Sequence, residues 1–191
     1  MSHLVYCLAL NPECQQKLLE EIQKSIEEKG GLDYETISQM PYLDACISET
    51  LRLYNPAPTT TREASQDYKL GDTGITIKKG QLIQIPIHGI HHNPKYYPNP
   101  HCFDPNRFMP ENRDKLIPYT YLPFGAGPRN CVALRFALME AKTAIACLIN
   151  KYEFIPTDNT KVPLIYPKKS LQVIPTDITL GIKLRNPDIT I

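Results

Sequence analysis

The feature that most constrains this chain is a glycine-bent loop at residues 124–131, Phe-Gly-Ala-Gly-Pro-Arg-Asn-Cys, that runs directly into a long apolar helical pattern. A helix start carries free N–H groups and partial positive charge, so it favours an anion. The glycines let backbone N–H groups approach the sulfur closely and adopt positive φ. Together with Arg129, these are the conditions that hold a cysteine as a thiolate. Cys131 is therefore a candidate metal ligand, nucleophile or redox thiol.

Composition sets limits on the class of protein. The 191 residues include 21 basic and 20 acidic side chains, so charge gives no argument for nucleic acid or another polyanion as partner. A hydrophobic content of 42% with 18 prolines predicts long ordered loops rather than disorder. No run approaches the roughly 18 apolar residues of a membrane span.

The cysteines form no CxxC pair and no metal-finger spacing, which fits a reducing compartment. Cys14, Cys46 and Cys147 lie in helical patterns, where a buried free thiol is the usual expectation.

The apolar periodicity predicts a mainly α fold with a smaller β part. Asn11-Pro12 is a strong helix start and Gly30-Gly31 a stop, while residues 3–10 resemble the end of an earlier helix. Glycine turns between short alternating runs predict strands. The predicted elements, in one domain or part of a larger one, are helices at about 11–29, 42–54 and 132–150, a sheet at 59–91, a meander at 92–123, the loop at 124–131, and terminal strands at about 171–174 and 178–184.

Small residues form a stripe on the last long helix, namely Ala133, Ala137, Ala141 and Ala144, beginning beside Cys131. Such a stripe would let something flat and large lie against the helix. Ordinary helix packing in a core is the alternative, and periodicity alone favours it.

Glu49 and Arg52 are three residues apart, so they share a helix face and can pair. In isolation such a pair is usually solvated and contributes a few tenths of a kcal/mol. Arg107, which lies between two aromatic residues in the meander, can dock bidentately on a buried carboxylate. An Arg–Glu–Arg network would then fix the meander to the second helix.

Three motifs together resemble a known family. Glu49-x-x-Arg52, Pro100-x-x-Phe103-x-Pro105-x-Arg107-Phe108 and Phe124-x-x-Gly127-x-Arg129-x-Cys131 occur in the order and spacing of the cytochrome P450 haem-thiolate monooxygenases. The whole chain resembles the C-terminal part of that family, most closely the animal microsomal xenobiotic- and steroid-oxidising members. The resemblance implies the C-terminal half of the cytochrome P450 fold over residues 1–191.

The resemblance also implies roles for individual residues. Cys131 would be the axial thiolate ligand of the iron of haem b, and Phe124 the aromatic residue that covers the sulfur. Arg62 and Arg129 would neutralise the haem propionates. Other expected roles are haem contact for Gly125, Gly127 and Ala133 (where the family usually has glycine), a structural network for Glu49, Arg52 and Arg107, and substrate-pocket lining for residues 57–61 and about 168–174. No residue of this chain is expected to act as a catalytic acid or base.

As an activity, the resemblance implies insertion of one oxygen atom from O2 into a hydrophobic organic substrate. Electrons would come from NADPH through NADPH-cytochrome P450 reductase, with Arg129, Arg135 and Lys142 as a basic docking face. The full-length form would lie at the cytoplasmic face of the endoplasmic reticulum membrane.

The family's N-terminal membrane anchor and its acid–threonine pair are expected outside this sequence. A second hypothesis therefore stays open, in which the 191-residue polypeptide is a non-catalytic fragment or interaction protein that binds haem weakly at most.

Two other chemistries find less support in the sequence. A metal cluster of His88, His91, His92 and Cys102 is disfavoured, because their spacing does not converge on one face. These histidines are predicted to be a mixture of core and surface residues, with His91 structural. A cysteine hydrolase would need a histidine base held near Cys131 by a third group, and the loop gives no support for one.

Overall fold

A computed structural model describes residues 1–167 and 173–185 of the chain. Within these residues helices predominate, and three two-stranded antiparallel sheets form the smaller β part. The predicted mainly α, α+β fold class is confirmed. In chain order the elements are α1 (Ser2–Leu10), α2 (Pro12–Lys29), α3 (Tyr34–Ser38), α4 (Pro41–Leu53), β1 (Thr60–Glu63), β2 (Tyr68–Lys69), β3 (Thr76–Ile77), β4 (Leu82–Ile85), α5 (Ile87–His91), α6 (Leu134–Lys151), β5 (Tyr152–Ile155) and β6 (Gly181–Leu184), with 3-10 turns at Pro105–Phe108, Pro110–Lys115 and Gly127–Arg129.

The helix α2 begins and ends where its sequence signals lie. Pro12 occupies the first turn, where its missing N–H costs nothing. At the other end Gly30 adopts φ +80° and its N–H donates to the Ile26 carbonyl oxygen at 2.7 Å. Asn11 does not cap α2 with its side chain, because its Nδ2 donates back to the Cys7 carbonyl oxygen of α1 at 2.7 Å.

The start of α4 is capped from another helix. The two carboxylate oxygens of Glu21 accept the backbone N–H groups of Tyr42 and Leu43, each at 2.8 Å. These N–H groups have no partner within α4, so the carboxylate satisfies them and joins α2 to α4.

One apolar core holds α1, α2, α4 and α6 together. Its fully buried side chains include Leu18 and Ile22 of α2, Leu43 of α4, and Ile145 and Ile149 of α6. Burying each such side chain contributes about 1.5–3 kcal/mol. The core therefore makes a rigid base from which α4 and α6 carry the site.

The buried Gln15 links this core to β5. Its Nε2 donates to the Leu8 and Phe154 carbonyl oxygens at 3.1 and 2.9 Å, and its Oε1 accepts the Phe154 N–H at 2.8 Å. A buried amide with this many partners fixes the relative positions of α1, α2 and β5.

The last strand is present within the predicted range 178–184 and pairs with the strand that follows α6. β6 is antiparallel to β5, with Tyr152 opposite Leu184, so it returns to the end of α6. Gly181 makes this approach possible, because a Cβ there would lie 2.9 Å from Ile155 Cγ1. Of the predicted strand at 171–174, residues 171–172 lie outside the described residues, and Val173 and Ile174 are not in a strand.

The predicted sheet at 59–91 is correct for four short strands and wrong for its last residues, which form α5. Ile87 and His91, four residues apart, are both buried while Gly89 between them is exposed, which fits a helical and not an alternating pattern. The short helix α3 was not predicted, although Asp33 caps it by accepting the Thr36 N–H at 2.8 Å.

The expectation of a buried thiol fails for Cys147. Cys46 is fully buried, Cys14 is half-buried, and Cys147 is exposed on α6 because Ile145, Ala146 and Ile149 occupy the core-facing side. All the cysteines are free.

None of the helices in residues 1–167 and 173–185 has the length and apolarity that crossing a bilayer requires.

Candidate functional site

The pair Glu49 and Arg52 is fully buried, unlike the surface pair that the motif gives in isolation. Arg52 Nε lies 2.7 Å from Glu49 Oε2, and Nη2 lies 2.8 Å from Oε1. Both side chains have no exposed surface. A buried bidentate pair of this kind fixes both geometry and charge.

Arg52 also holds two distant segments. Its Nη1 donates to the carbonyl oxygens of His91 and Pro100, each at 2.8 Å. The guanidinium carbon lies 5.0 Å from the ring centroid of Tyr97, a cation–π distance. Through one side chain, α4 is tied to α5 and to the meander.

Arg107 approaches the same carboxylate from the meander. Its Nε lies 3.5 Å from Glu49 Oε1, and its Nη2 donates to the Pro98 carbonyl oxygen at 2.6 Å. The Asp104 N–H donates to Glu49 Oε1 at 3.0 Å. Burial raises the pKa of Glu49, and the hydrogen bonds and charges of the arginines act against that rise.

His91 connects this network to the loop before Cys131. The ring is fully buried, and its Nε2 accepts the Leu122 N–H at 2.8 Å. Because Nε2 accepts, the proton of the neutral ring is on Nδ1. Burial lowers the pKa of His91 to about 4, so the ring is neutral at physiological pH.

This burial predicts an acid-dependent loss of stability. Folding lowers the pKa of His91, so between about pH 6.5 and pH 4 the unfolded chain binds a proton at this ring that the folded chain does not. Through His91, the free energy of unfolding therefore does not change with pH above about pH 6.5 and falls as the pH is lowered toward 4. Between pH 7 and pH 5 the loss through His91 amounts to about 2 kcal/mol in the free energy of unfolding. His91→Gln keeps an acceptor for Leu122 and cannot titrate, so urea unfolding across this range should show a shallower pH dependence. Equal slopes for the variant and the wild type would contradict this.

The loop itself is closed by backbone hydrogen bonds that need glycine. The Cys131 N–H donates to the Phe124 carbonyl oxygen at 2.9 Å, and Gly125 and Gly127 adopt φ +76° and +75°. Side chains other than glycine are strained in this left-handed region. The turn leaves Cys131 exposed rather than packed in the core.

Five of the predicted site residues line one cavity of about 400 Å³. They are Phe124, Gly125, Arg129, Cys131 and Arg62, and they face the segment after α4. Gly127 and Ala133 do not line this cavity. Of the predicted substrate segments, Ala57, Thr59 and Thr60 contribute to it and Pro58 and Thr61 do not. Residues 168–172 lie outside the described part of the chain.

An adjoining cavity of about 310 Å³ carries part of the alanine stripe. It is lined by Ala137 and Ala141 of α6, and by Phe124, which also lines the first cavity. The core-facing positions of α6 are instead Ile145, Ala146 and Ile149. Two of the four stripe residues therefore border a cavity next to that of Cys131, and one of them, Ala141, also packs against the apolar core.

The first cavity is positively charged. Arg62 is oriented by Nη1, which donates to Thr60 Oγ1 at 2.8 Å, and its Nη2 lies 3.4 Å from the Arg129 carbonyl oxygen. The lining contains no carboxylate. Among the described residues, neither Arg62 nor Arg129 forms an ion pair. Two unneutralised guanidinium groups beside a thiol suit a ligand that carries anionic groups.

The structure corrects the predicted basic docking face. Lys142 is buried, and its Nζ lies 2.7 Å from Asp44 Oδ1, because α6 turns this side chain toward α4. It is neutralised internally and cannot present charge to a partner. Arg129 and Arg135 are exposed.

Asn55 is a cavity residue that the sequence reasoning did not identify. It is fully buried, and its Oδ1 accepts the Ala57 N–H at 2.8 Å, which shapes the chain where it enters the cavity wall. The Asn55-Pro56 dipeptide, a strong turn signal, could have indicated this role.

Comparisons with known proteins agree with the motifs. The family profile described as Cytochrome P450 matches residues 1–182. Cytochrome P450 9e2 of Blattella germanica is 48% identical over 175 residues, covering 91% of this chain and 32% of that protein. Probable cytochrome P450 6a14 of Drosophila melanogaster is 44% identical over 93% of this chain and 35% of that protein.

A mammalian relative shows the same extent of likeness. Cytochrome P450 3A41 of Mus musculus is 39% identical over 94% of this chain and 37% of that protein. The chain thus spans about a third of the length of these three relatives. By its family profile and by these identities, the chain belongs to the cytochrome P450 family.

Proposed function

We propose that this chain is the haem-thiolate part of a monooxygenase, with Cys131 as the axial ligand of haem iron. The observation that carries the proposal is the cavity wall on which Cys131 lies together with the unneutralised Arg62 and Arg129. Haem has an iron ion that accepts a thiolate ligand, and it carries two anionic propionate groups. The thiol of Cys131 suits the iron, and the two guanidinium groups suit the propionates.

Each neighbouring residue has a defined part in holding the group. Arg62 and Arg129 would bind the propionates, and Phe124 would restrict water at the sulfur. Gly125 and Gly127 would let the backbone turn close to the group, and Ala133 would contact it from the residue before α6. The buried network of Glu49, Arg52 and Arg107, extended by His91, holds the loop in position.

The bound haem supplies the activation of O2 that allows one oxygen atom to be inserted into an organic substrate. Residues 57–61 would line part of the pocket that binds the substrate, which would be a hydrophobic organic molecule. NADPH-cytochrome P450 reductase would deliver the electrons, with Arg129 and Arg135 on its docking face. The whole protein would act at the cytoplasmic face of the endoplasmic reticulum membrane.

For the 191-residue polypeptide on its own, one observation favours a non-catalytic fragment that binds haem weakly at most. Next to Cys131, Val132 is 102% exposed and Phe136 is 72% exposed. Large apolar side chains exposed beside a ligand are typical of a surface that another part of a protein covers.

The proposed function is tested by a chimera. Residues 1–182 replace the corresponding segment of the Blattella germanica relative, which supplies the remaining two thirds of the protein. We expect the reduced, carbon-monoxide-bound chimera to show the red-shifted Soret band of thiolate haem, and to consume NADPH and O2 with the reductase present. The 191-residue chain alone, titrated with haem, is expected to lack the band.

The unmodified relative is the control for expression and haem content. A chimera that folds and binds haem stoichiometrically but lacks the red-shifted band would contradict the proposed function. The band in the 191-residue chain alone, at stoichiometric haem, would contradict the weak-binding expectation.

A further inference from the structure

A cluster of histidines lies outside the cavity of Cys131, at the end of α5. His88 and His101 are exposed, and His92 is half-buried. The ring centroids of His88 and His92 are 4.1 Å apart, and those of His92 and His101 are 5.4 Å apart. His91 belongs to the core network instead and has no part in this cluster.

His88 and His92 have the backbone spacing of a chelating pair. They are four residues apart on one helical turn, and the His92 N–H donates to the His88 carbonyl oxygen at 3.1 Å. Side chains at this spacing lie on the same helix face. Two imidazoles bound to one zinc ion have centroids roughly 5 Å apart, as follows from Zn–N bonds of about 2.0–2.1 Å and tetrahedral angles.

The nitrogen available to a metal on His92 is defined by a hydrogen bond. Its Nδ1 lies 2.9 Å from the His88 carbonyl oxygen, which can only accept, so Nδ1 carries the proton. The lone pair is therefore on Nε2. A ring N–H held by a backbone carbonyl is the usual support of a histidine that binds metal.

The charges around the pair do not prevent cation binding. The positive charge of Arg52 acts on His92, and that charge is balanced by the bidentate contact of Arg52 with Glu49. Within the described residues, no group of three His, Cys, Asp or Glu side chains already surrounds a common metal position. His101 is thus a neighbour of the pair rather than a third ligand in this arrangement.

From this geometry we propose that His88 and His92 bind one divalent first-row transition metal ion, of the zinc or copper kind, as a two-imidazole chelate completed by water. Imidazole nitrogen is a preferred ligand for these ions. Small rotations of the exposed His88 ring, which occur rapidly at a surface, close the pair on the ion. The bound ion fixes the last turn of α5, where the His91 carbonyl oxygen accepts Arg52.

Zn²⁺ alone is the probe, added to the 191-residue chain after the exposed thiols of Cys102, Cys131 and Cys147 have been alkylated. Isothermal titration should show saturable binding of about one equivalent. Zn²⁺ should also raise the midpoint of thermal unfolding, since it binds the folded form. His88→Gln and His92→Gln should each weaken binding by about tenfold or more.

His101→Gln is the matched control, because it removes an exposed imidazole next to the pair and should change the affinity by less than about threefold. A loss for His101→Gln as large as for His88→Gln would overturn the two-histidine assignment. So would the absence of saturable binding. In the unsubstituted chain, nitrogen-15 spectra should show the His92 Nε2 resonance moving with Zn²⁺, and an unmoved resonance would equally overturn the proposal.

Discussion

Arg52→Met is expected to lower the free energy of unfolding by about 3–5 kcal/mol, because it leaves the Glu49 carboxylate buried without its bidentate partner. The His91 and Pro100 carbonyl oxygens lose their donor in the same step, so the loss falls at the upper end of that range. The total free energy of unfolding of a small domain is about 5–15 kcal/mol, so this loss is a large part of it. Urea unfolding followed by circular dichroism gives the difference in the free energy of unfolding. Arg52→Lys keeps the charge but not the bidentate geometry, so its stability should lie between those of the wild type and Arg52→Met.

The exposed pair Lys24 and Glu28 provides the control. Its nitrogen and oxygen are 3.9 Å apart and both side chains are largely in solvent, so Lys24→Met should change stability by no more than about 0.5 kcal/mol. The double variant Glu49→Leu, Arg52→Met removes the uncompensated charge but not the unsatisfied carbonyls, so it should recover only part of the loss. If Arg52→Met proves no more costly than Lys24→Met, the buried network does not hold the meander.

Sequence patterns predicted the long helices well, because those signals are local. Pro12 and Gly30 sit at the ends of α2, as the spacing of apolar residues between them requires. The Arg52 partners show the opposite case. The acceptors at His91 and Pro100 are 39 and 48 residues away, and nothing in the local pattern of α4 indicates that it will be covered.

The same limit explains the errors. The alternating chain before Pro86 predicts a strand where α5 lies, whereas the burial of Ile87 and His91 depends on the neighbouring α4 and meander. The pattern of α6 alone predicts a surface charge at Lys142, because its partner Asp44 lies on another helix. For the candidate site, motif spacing indicated Cys131, Arg129 and Arg62, but only the fold places them on one cavity wall.

Cys131→Ser in the chimera is expected to abolish both the red-shifted ferrous-carbonyl band and the NADPH-dependent consumption of O2. A serine hydroxyl is not a thiolate, so the axial donation that favours cleavage of the O–O bond is removed even where haem stays bound. The fold should be unaffected, because the Cys131 side chain is exposed and its backbone N–H bond to Phe124 survives the change. The free energy of unfolding of the haem-free chain, measured by thermal unfolding, should therefore change by no more than about 0.5 kcal/mol.

Cys147→Ser is the matched control, since it removes another exposed thiol, sixteen residues after Cys131 on α6, while leaving the cavity intact. The band and the turnover should persist in that variant. Retention of either one in Cys131→Ser would refute the assignment of the ligand. If Cys131→Ser loses both the band and the turnover while its unfolding transition is unchanged, the loss of the ligand is separated from any loss of the fold. The substitution removes the thiolate and leaves the packing of the loop intact.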